Sequence, residues 1–166
     1  MKKVSAGLEG IARLGVGLSF GLLMAAVLLQ LVARSGLLPA PIWTEELSRF
    51  CLLYLAAFGA GLALRSGDMV NVDLISEALP DPWPWRLRLF SAVTVAGLCL
   101  ILLPSAWFYT SIGKRQTAPA LGVRMDVIHG SILLLLVLLG LFALLRVVAM
   151  LTGAEDGRAI KTDEDE

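Results

Sequence analysis

Four long apolar stretches run through the chain, and the polar and charged residues lie almost entirely between them. The hydrocarbon core of a bilayer is about 30 Å thick, which a helix of about 20 apolar residues can cross. Backbone amides and carbonyls find no water there, so each stretch must form a helix. The pattern predicts an all-α integral membrane protein with spans at about residues 11–33, 47–64, 87–112 and 125–148.

The second stretch is the shortest, because its uncharged part covers only residues 50–64. At 1.5 Å per residue this part is about 22 Å long, less than the thickness of the hydrocarbon core. The helix must therefore include residues before it, which places Glu45, Glu46 and Arg49 at the membrane edge. The spacing allows Arg49 to pair with either glutamate, and Thr44 is the candidate N-cap.

Small residues recur at every fourth position of the first stretch, at Gly17, Gly21 and Ala25. They share one face of a helix, and small side chains let two helix backbones approach closely within a membrane. We therefore expect this face to pack against another helix. The Leu-rich fourth stretch, by contrast, suits exposure to lipid.

A short amphipathic segment, residues 71–79, separates the second and third stretches. It is too short to cross a membrane and ends at Pro80, so we predict a helix lying in the plane of the interface. Residues 1–151 then form one membrane domain. The polar, acidic remainder, residues 152–166, is predicted to be a disordered tail.

Composition supports a membrane protein, since 57% of residues are hydrophobic and only 17% are charged. The formal net charge is zero, so the chain lacks the basic excess that a nucleic-acid partner requires. Membrane lipid is the partner that this composition predicts.

Positively charged residues are unevenly divided between the two sides that four spans define. Nine lie on the side of the termini: Lys2, Lys3, Arg13, Arg65, Arg86, Arg88, Arg146, Arg158 and Lys161. Five lie on the other: Arg34, Arg49, Lys114, Arg115 and Arg124. Because Lys and Arg concentrate in cytoplasmic segments, both termini are predicted to be cytoplasmic.

The sequence offers no catalytic, metal-binding or cofactor-binding constellation. Cys51 and Cys99 lie in apolar runs and are interpreted as packing residues, and His129 is the only histidine. A membrane redox enzyme that uses these three side chains is the alternative from another class. Ion and proton paths usually contain ionisable residues near mid-membrane, and no predicted span has one there. The chain is therefore predicted to be a scaffold or accessory subunit and not an enzyme.

Several motifs in order resemble a known family. Residues 43–49, Trp-Thr-Glu-Glu-Leu-Ser-Arg, resemble the W-x-E-E-L-x-R entry of the small, DctQ-type membrane subunit of tripartite ATP-independent periplasmic (TRAP) transporters. The family's F-G-A stretch is matched by residues 58–60, and its R-x-G and V-D-L stretches by residues 65–67 and 72–74. Residues 116–123, with Pro-Ala-Leu-Gly at 119–122, resemble the connection before its last helix.

Two positions depart from the family's pattern. Met69 stands where the family often has His, so no proton-handling role is assigned there. Arg124 replaces a frequent Pro, so the turn before the last helix is expected to differ.

The resemblance implies a three-part secondary transporter of the bacterial inner membrane. A large membrane permease subunit carries an organic acid, typically by sodium symport, and an extracytoplasmic substrate-binding protein captures it. The small subunit scaffolds the large one and helps dock the binding protein. Its candidate partner-interface residues are Trp43, Glu45, Glu46, Arg49, Gly17, Gly21, Ala25, Arg65 and Asp73. An accessory subunit of another membrane complex is the first alternative.

Overall fold

The computed structural model describes residues 2–35, 41–66 and 83–153, and these form four helices. The helices are α1 (Lys2–Arg34), α2 (Trp43–Ser66), α3 (Trp83–Gly113) and α4 (Met125–Leu151). Each is long and apolar enough to cross a membrane, which confirms the predicted all-α, four-span fold. Even α2, the shortest with 24 residues, is about 36 Å long and exceeds the hydrocarbon thickness.

The helices extend beyond the predicted spans. The first begins at Lys2 instead of about residue 11, and α2 begins at Trp43 instead of about residue 47. Apolar runs mark only the part inside hydrocarbon, whereas a helix continues through polar residues that suit its geometry. The predicted interfacial helix at 71–79, and the tail from residue 154 onwards, lie outside the described residues.

The helices pack in a row, in the order α1, α2, α4, α3. Within the described part of the chain, α1 packs extensively only on α2, and α3 only on α4. Along the direction of the helix axes, the row has two opposite ends. The terminal end carries the start of α1 and the end of α4. The connection end carries residues 114–124, which join α3 to α4. Both α2 and α4 begin at the connection end, so the two central helices run parallel.

The Leu-rich α4 was expected to suit exposure to lipid, and this holds for only part of its surface. Leu141, Leu144 and Val148 are exposed, whereas the opposite parts of the helix are packed. It lies between α2 and α3, and its most apolar part has the largest buried share of the four helices. Composition cannot separate a lipid-facing leucine from one packed on a neighbouring helix, since both environments are equally apolar.

A seam of small residues joins α1 to the rest of the row. Every seventh residue is buried, namely Ser5, Ala12, Ser19, Ala26 and Ala33. A seven-residue repeat keeps one stripe facing a partner helix along a gentle left-handed supercoil. Gly15 lies beside the seam, and a Cβ atom there would come within 2.6 Å of the Phe58 ring. The small residues thus let α1 approach α2 closely.

All four helices meet in one buried cluster in the half of the row nearer the terminal end. It contains Ala12, Leu64, Ala96, Phe142 and Ala143. Gly61 makes room for the Phe142 ring, because a Cβ atom there would lie 2.8 Å from ring atom Cδ2.

A second cluster joins α3 to α4 and consists of Cys99, Ala106 and Leu136. Its cysteine fits against Gly140, where an added Cβ would lie 3.2 Å from the Cys99 Cβ. Both cysteines are free and buried, and Cys99 is a core residue, as its apolar sequence context suggests.

Candidate partner interface

The chain enters α2 through a local hydrogen-bonded turn. Thr44 is only 1% exposed, and both its backbone amide and its hydroxyl donate to the Pro41 carbonyl, at 3.3 and 2.7 Å. The predicted N-cap role of Thr44 is wrong, because the helix already begins at Trp43 and the hydroxyl bonds backwards instead of capping a later amide. This turn fixes the direction in which the first turn of α2 presents its two glutamates.

Glu46 joins α2 to the connection between α3 and α4. Its Oε2 atom accepts hydrogen bonds from the backbone amides of Ala120 and Leu121, at 3.0 and 2.7 Å. A carboxylate that accepts from two amides forms charge-assisted bonds, which are stronger than neutral ones. The contact brings together two of the family-like motifs, which lie more than 70 residues apart in the chain.

The connection itself is shaped to present those amides. The Ala118 amide donates to the Val123 carbonyl at 2.8 Å, and the Gly122 amide donates to the Ala118 carbonyl at 2.9 Å. Gly122 has a φ of 65°, a left-handed conformation that glycine adopts without a steric penalty. The resulting tight loop places the amides of residues 120 and 121 toward α2.

Further contacts join α2, α3 and α4 to one another beside this loop. The Tyr54 hydroxyl donates to the Val127 carbonyl, which links α2 to the start of α4. His129 is buried, stacks on Tyr109 with ring centroids 4.0 Å apart, and places Nδ1 3.2 Å from the Tyr109 carbonyl. The histidine therefore joins α3 to α4. The described residues contain no group of His, Cys, Asp or Glu side chains that could hold a metal ion.

The two glutamates at the start of α2 find partners outside their own helix. Glu45 Oε1 lies 3.5 Å from the Arg34 guanidinium at the end of α1. Arg49 is exposed and forms no ion pair with any described residue. A pair between Arg49 and either glutamate is thus not formed within this chain. A partner for Arg49 on another subunit stays a prediction.

The exposed surface of the connection end is positively charged. Arg49, Lys114 and Arg115 are all exposed, and none of them forms an ion pair with a described residue. Arg124 is neutralised by Asp126, with nitrogen and oxygen 2.6 Å apart. Trp43, at the rim of this surface, is 40% exposed, as expected for an interfacial aromatic residue.

Gly17, Gly21 and Ala25 lie on an exposed face of α1, away from the seam with α2. A Cβ atom at Gly17 or Gly21 would meet no described atom within 4 Å. Neighbouring Leu18 and Leu22 are more than half exposed. This face therefore packs on none of the other three described helices, and its role as an interface with a partner stays a prediction.

Two predicted interface residues cannot be placed. Arg65 belongs to α2, but its side chain is outside the described part of the structure, and Asp73 lies in the undescribed segment.

Sequence reasoning missed a set of inward-facing charges near the terminal end. Arg88 is only 6% exposed, and Arg146 is half-buried and donates to the Leu64 carbonyl at 3.3 Å. The signal that could have found them is helical spacing. Arg88 lies four residues before buried Ala92, and Arg146 lies three residues after buried Ala143, so each shares a buried face.

We predict that Glu46→Ala loosens the connection. The two loop amides lose a charged acceptor, at a cost of roughly 1–2 kcal/mol because Glu46 is only partly buried. Hydrogen exchange should accelerate at Ala120 and Leu121. The control is Glu45→Ala, which removes an exposed ion pair worth at most about 1 kcal/mol. Equal exchange at both amides in the two variants would contradict this role for Glu46.

Comparison with known proteins agrees with this architecture. Residues 23–153 match the sequence model of the DctQ component of tripartite ATP-independent periplasmic transporters. A TRAP transporter small permease protein of Haemophilus influenzae is 25% identical over 108 residues, which cover 65% of this chain and 67% of the relative.

Two further relatives come from sialic acid TRAP transporters. The small permease protein SiaQ of Vibrio cholerae is 35% identical over 83 residues, or 48% of this chain and 47% of SiaQ. The permease protein SiaT of H. influenzae is 29% identical over 84 residues, or 51% of this chain but 12% of SiaT. The chain thus spans about half of SiaQ and a small part of SiaT.

The family match extends from the middle of α1 to the end of α4 and includes every described contact of Glu46. It excludes both alternatives considered from the sequence, the membrane redox enzyme and the helper of an unrelated complex. Four apolar helices and the family together indicate a multi-pass inner membrane protein and not an enzyme. The chain belongs to the DctQ family, the small permease subunits of TRAP transporters.

Proposed function

We propose that this chain scaffolds the large permease subunit of its transporter and helps dock an extracytoplasmic substrate-binding protein, for sodium-coupled uptake of an organic acid. The observation that carries the proposal is the connection end. There Glu46 is hydrogen-bonded to the loop between α3 and α4, and the cations Arg49, Lys114 and Arg115 are exposed.

The row of helices supports the scaffold role. Helices in a row leave long apolar faces exposed on both sides, and such faces on a membrane subunit suit packing against a larger membrane protein. The similarity to SiaT supports the same role, since a segment similar to about half of this chain makes up 12% of that permease.

The placement of charge argues against a transport path within this chain. Arg88, the one buried charged side chain among the described residues, lies in the second turn of α3. Paths for ions or anionic solutes need polar groups or broken helices near mid-membrane. The solute and its coupling ion are therefore assigned to the large subunit.

Docking is supported by electrostatics. A cluster of exposed cations attracts an acidic partner and raises its association rate. An organic acid as solute is supported by the relatives named for sialic acid. Sodium as the coupling ion follows from the family resemblance alone.

Orientation is part of the proposal, because docking requires the connection end to face outward. The excess of positive residues on the terminal side supports cytoplasmic termini. Topology reporters fused after residue 166 and inserted at residue 118 should therefore give opposite signals. The same signal from both positions would contradict a four-span chain with the connection outside.

The function itself can be tested in reconstituted vesicles. The large subunit and the binding protein should transport their organic acid poorly alone, and adding this chain should restore sodium-driven flux. The chain alone should produce no flux and should bind no solute in calorimetry. Flux from this chain alone would overturn the scaffold role.

The exposed face of α1 provides a test of assembly. Gly21→Leu adds a side chain where the described part of the chain leaves open space, so the melting temperature of the chain alone should not change. If the large subunit packs there, the bulk should reduce copurification. Gly61→Leu should instead lower the melting temperature, because it overpacks the core against Phe142 by about 1–3 kcal/mol.

A further control is Gly97→Leu, which also enters open space but lies on α3, at the far side of the row. Copurification should survive this change. Loss of copurification with Gly97→Leu but not with Gly21→Leu would indicate that the large subunit packs on α3 instead of α1.

A further inference from the structure

A groove of about 310 Å³ opens between the end of α1 and the start of α2, at the connection end. Its lining consists of Gln30, Arg34, Pro41, Ile42, Thr44 and Glu45. The Arg34 guanidinium and the Glu45 carboxylate lie on opposite helices, 3.5 Å apart, with side chains 75% and 57% exposed. Both charges are therefore accessible to a molecule that enters the groove from outside.

The chemistry of the lining suits a ligand with two opposite charges. An exposed ion pair contributes little stability, so a ligand can separate Arg34 from Glu45 at small cost. A phosphate can accept hydrogen bonds from the guanidinium, and a primary ammonium can donate to the carboxylate. A ligand that carries both groups satisfies both side chains at once.

The position of the groove points to a membrane lipid. The ends of spanning helices lie at the height of lipid headgroups, and exposed Trp43 beside the groove suits that region. Val27 and Leu31 lie three residues before Gln30 and Arg34, one turn deeper along α1, and both are exposed. They offer an apolar track for acyl chains below the headgroup.

The size of the groove fits a headgroup, because it lies at the lower end of the range for small-molecule pockets. We propose that this groove binds a phospholipid whose headgroup carries a primary ammonium, with its phosphate on Arg34 and its ammonium on Glu45. This site is separate from the docking and scaffold roles and does not depend on them.

The test uses the purified full chain, with equal amounts of phosphatidylethanolamine, phosphatidylcholine and phosphatidylglycerol, and counts retained lipids by native mass spectrometry. Phosphatidylethanolamine should be retained up to about fivefold more than phosphatidylcholine, the range of one exposed ion pair. The methyl groups of choline leave it no N–H to donate to Glu45.

Substitutions at Glu45 and at Arg34 should change lipid retention in different ways. Glu45→Gln should abolish the preference for ethanolamine over choline and favour phosphatidylglycerol, since Arg34 is then unopposed. Arg34→Gln should lower retention of all three lipids, because each contains the phosphate. Glu45→Asp keeps a carboxylate and should keep the preference. Arg49→Gln removes a nearby exposed cation that does not line the groove, so the retention of all three lipids should stay the same.

Melting temperatures measured alongside should be equal, because the pair is exposed and stabilises the fold little. Equal retention of ethanolamine and choline lipids by the unaltered chain would overturn the proposal, as would an unchanged ratio in Glu45→Gln. Full competition by soluble glycerophosphoethanolamine at equal concentration would identify a free zwitterion, and not a membrane lipid, as the occupant.

Discussion

The Glu46 carboxylate accepts hydrogen bonds from two consecutive backbone amides of the loop between α3 and α4, and the arrangement of the connection end depends on this contact. The amides are held by the backbone, so only the Glu46 side chain loses conformational freedom when the bonds form. Because the bonds cross from α2 to the loop before α4, they set the relation of the two central helices. The hydrogen bond from Tyr54 to the Val127 carbonyl reinforces the same pair.

A row of helices has consequences that a compact bundle would not have. The described helices cover each outer helix on one side only, so α1 keeps a second, exposed face with Gly17 and Gly21. In a membrane that face meets lipid or another subunit, and small residues favour the subunit because backbones can then approach closely. The exposed apolar faces of the row thus suit a subunit that packs against a larger membrane protein.

Among the described residues, the charged side chains lie toward the two ends of the helices, and the two ends differ. Near the terminal end, Arg88 and Arg146 turn inward beside the cluster where all four helices meet. At the connection end most cations face outward, while the acidic side chains are engaged by Arg34, Arg124 or backbone amides. The apolar interior between the ends suits a supporting subunit, and the outward cations suit contact with an acidic partner or with lipid phosphate.

The sequence by itself determined the number of spans and the family. Both follow from local properties: the length of an apolar run fixes whether a helix can cross, and short motifs keep their order along the chain. Helical spacing also predicted that Gly17, Gly21 and Ala25 share one face of a helix. The short apolar run of the second span predicted that Glu45, Glu46 and Arg49 lie near the start of α2.

Only the tertiary structure decided which partner each of these residues has. Spacing along α2 suggested Arg49 for its glutamates, but the fold instead brings Arg34 of the preceding helix to Glu45 and brings loop amides more than 70 residues away to Glu46. Two stripes of small residues exist on α1, and the shape of α2, with Phe58 against Gly15, selects the seven-residue one. The central position of α4 in the row could not be predicted from the sequence either, because a leucine side chain gains similar contacts from lipid and from a neighbouring helix.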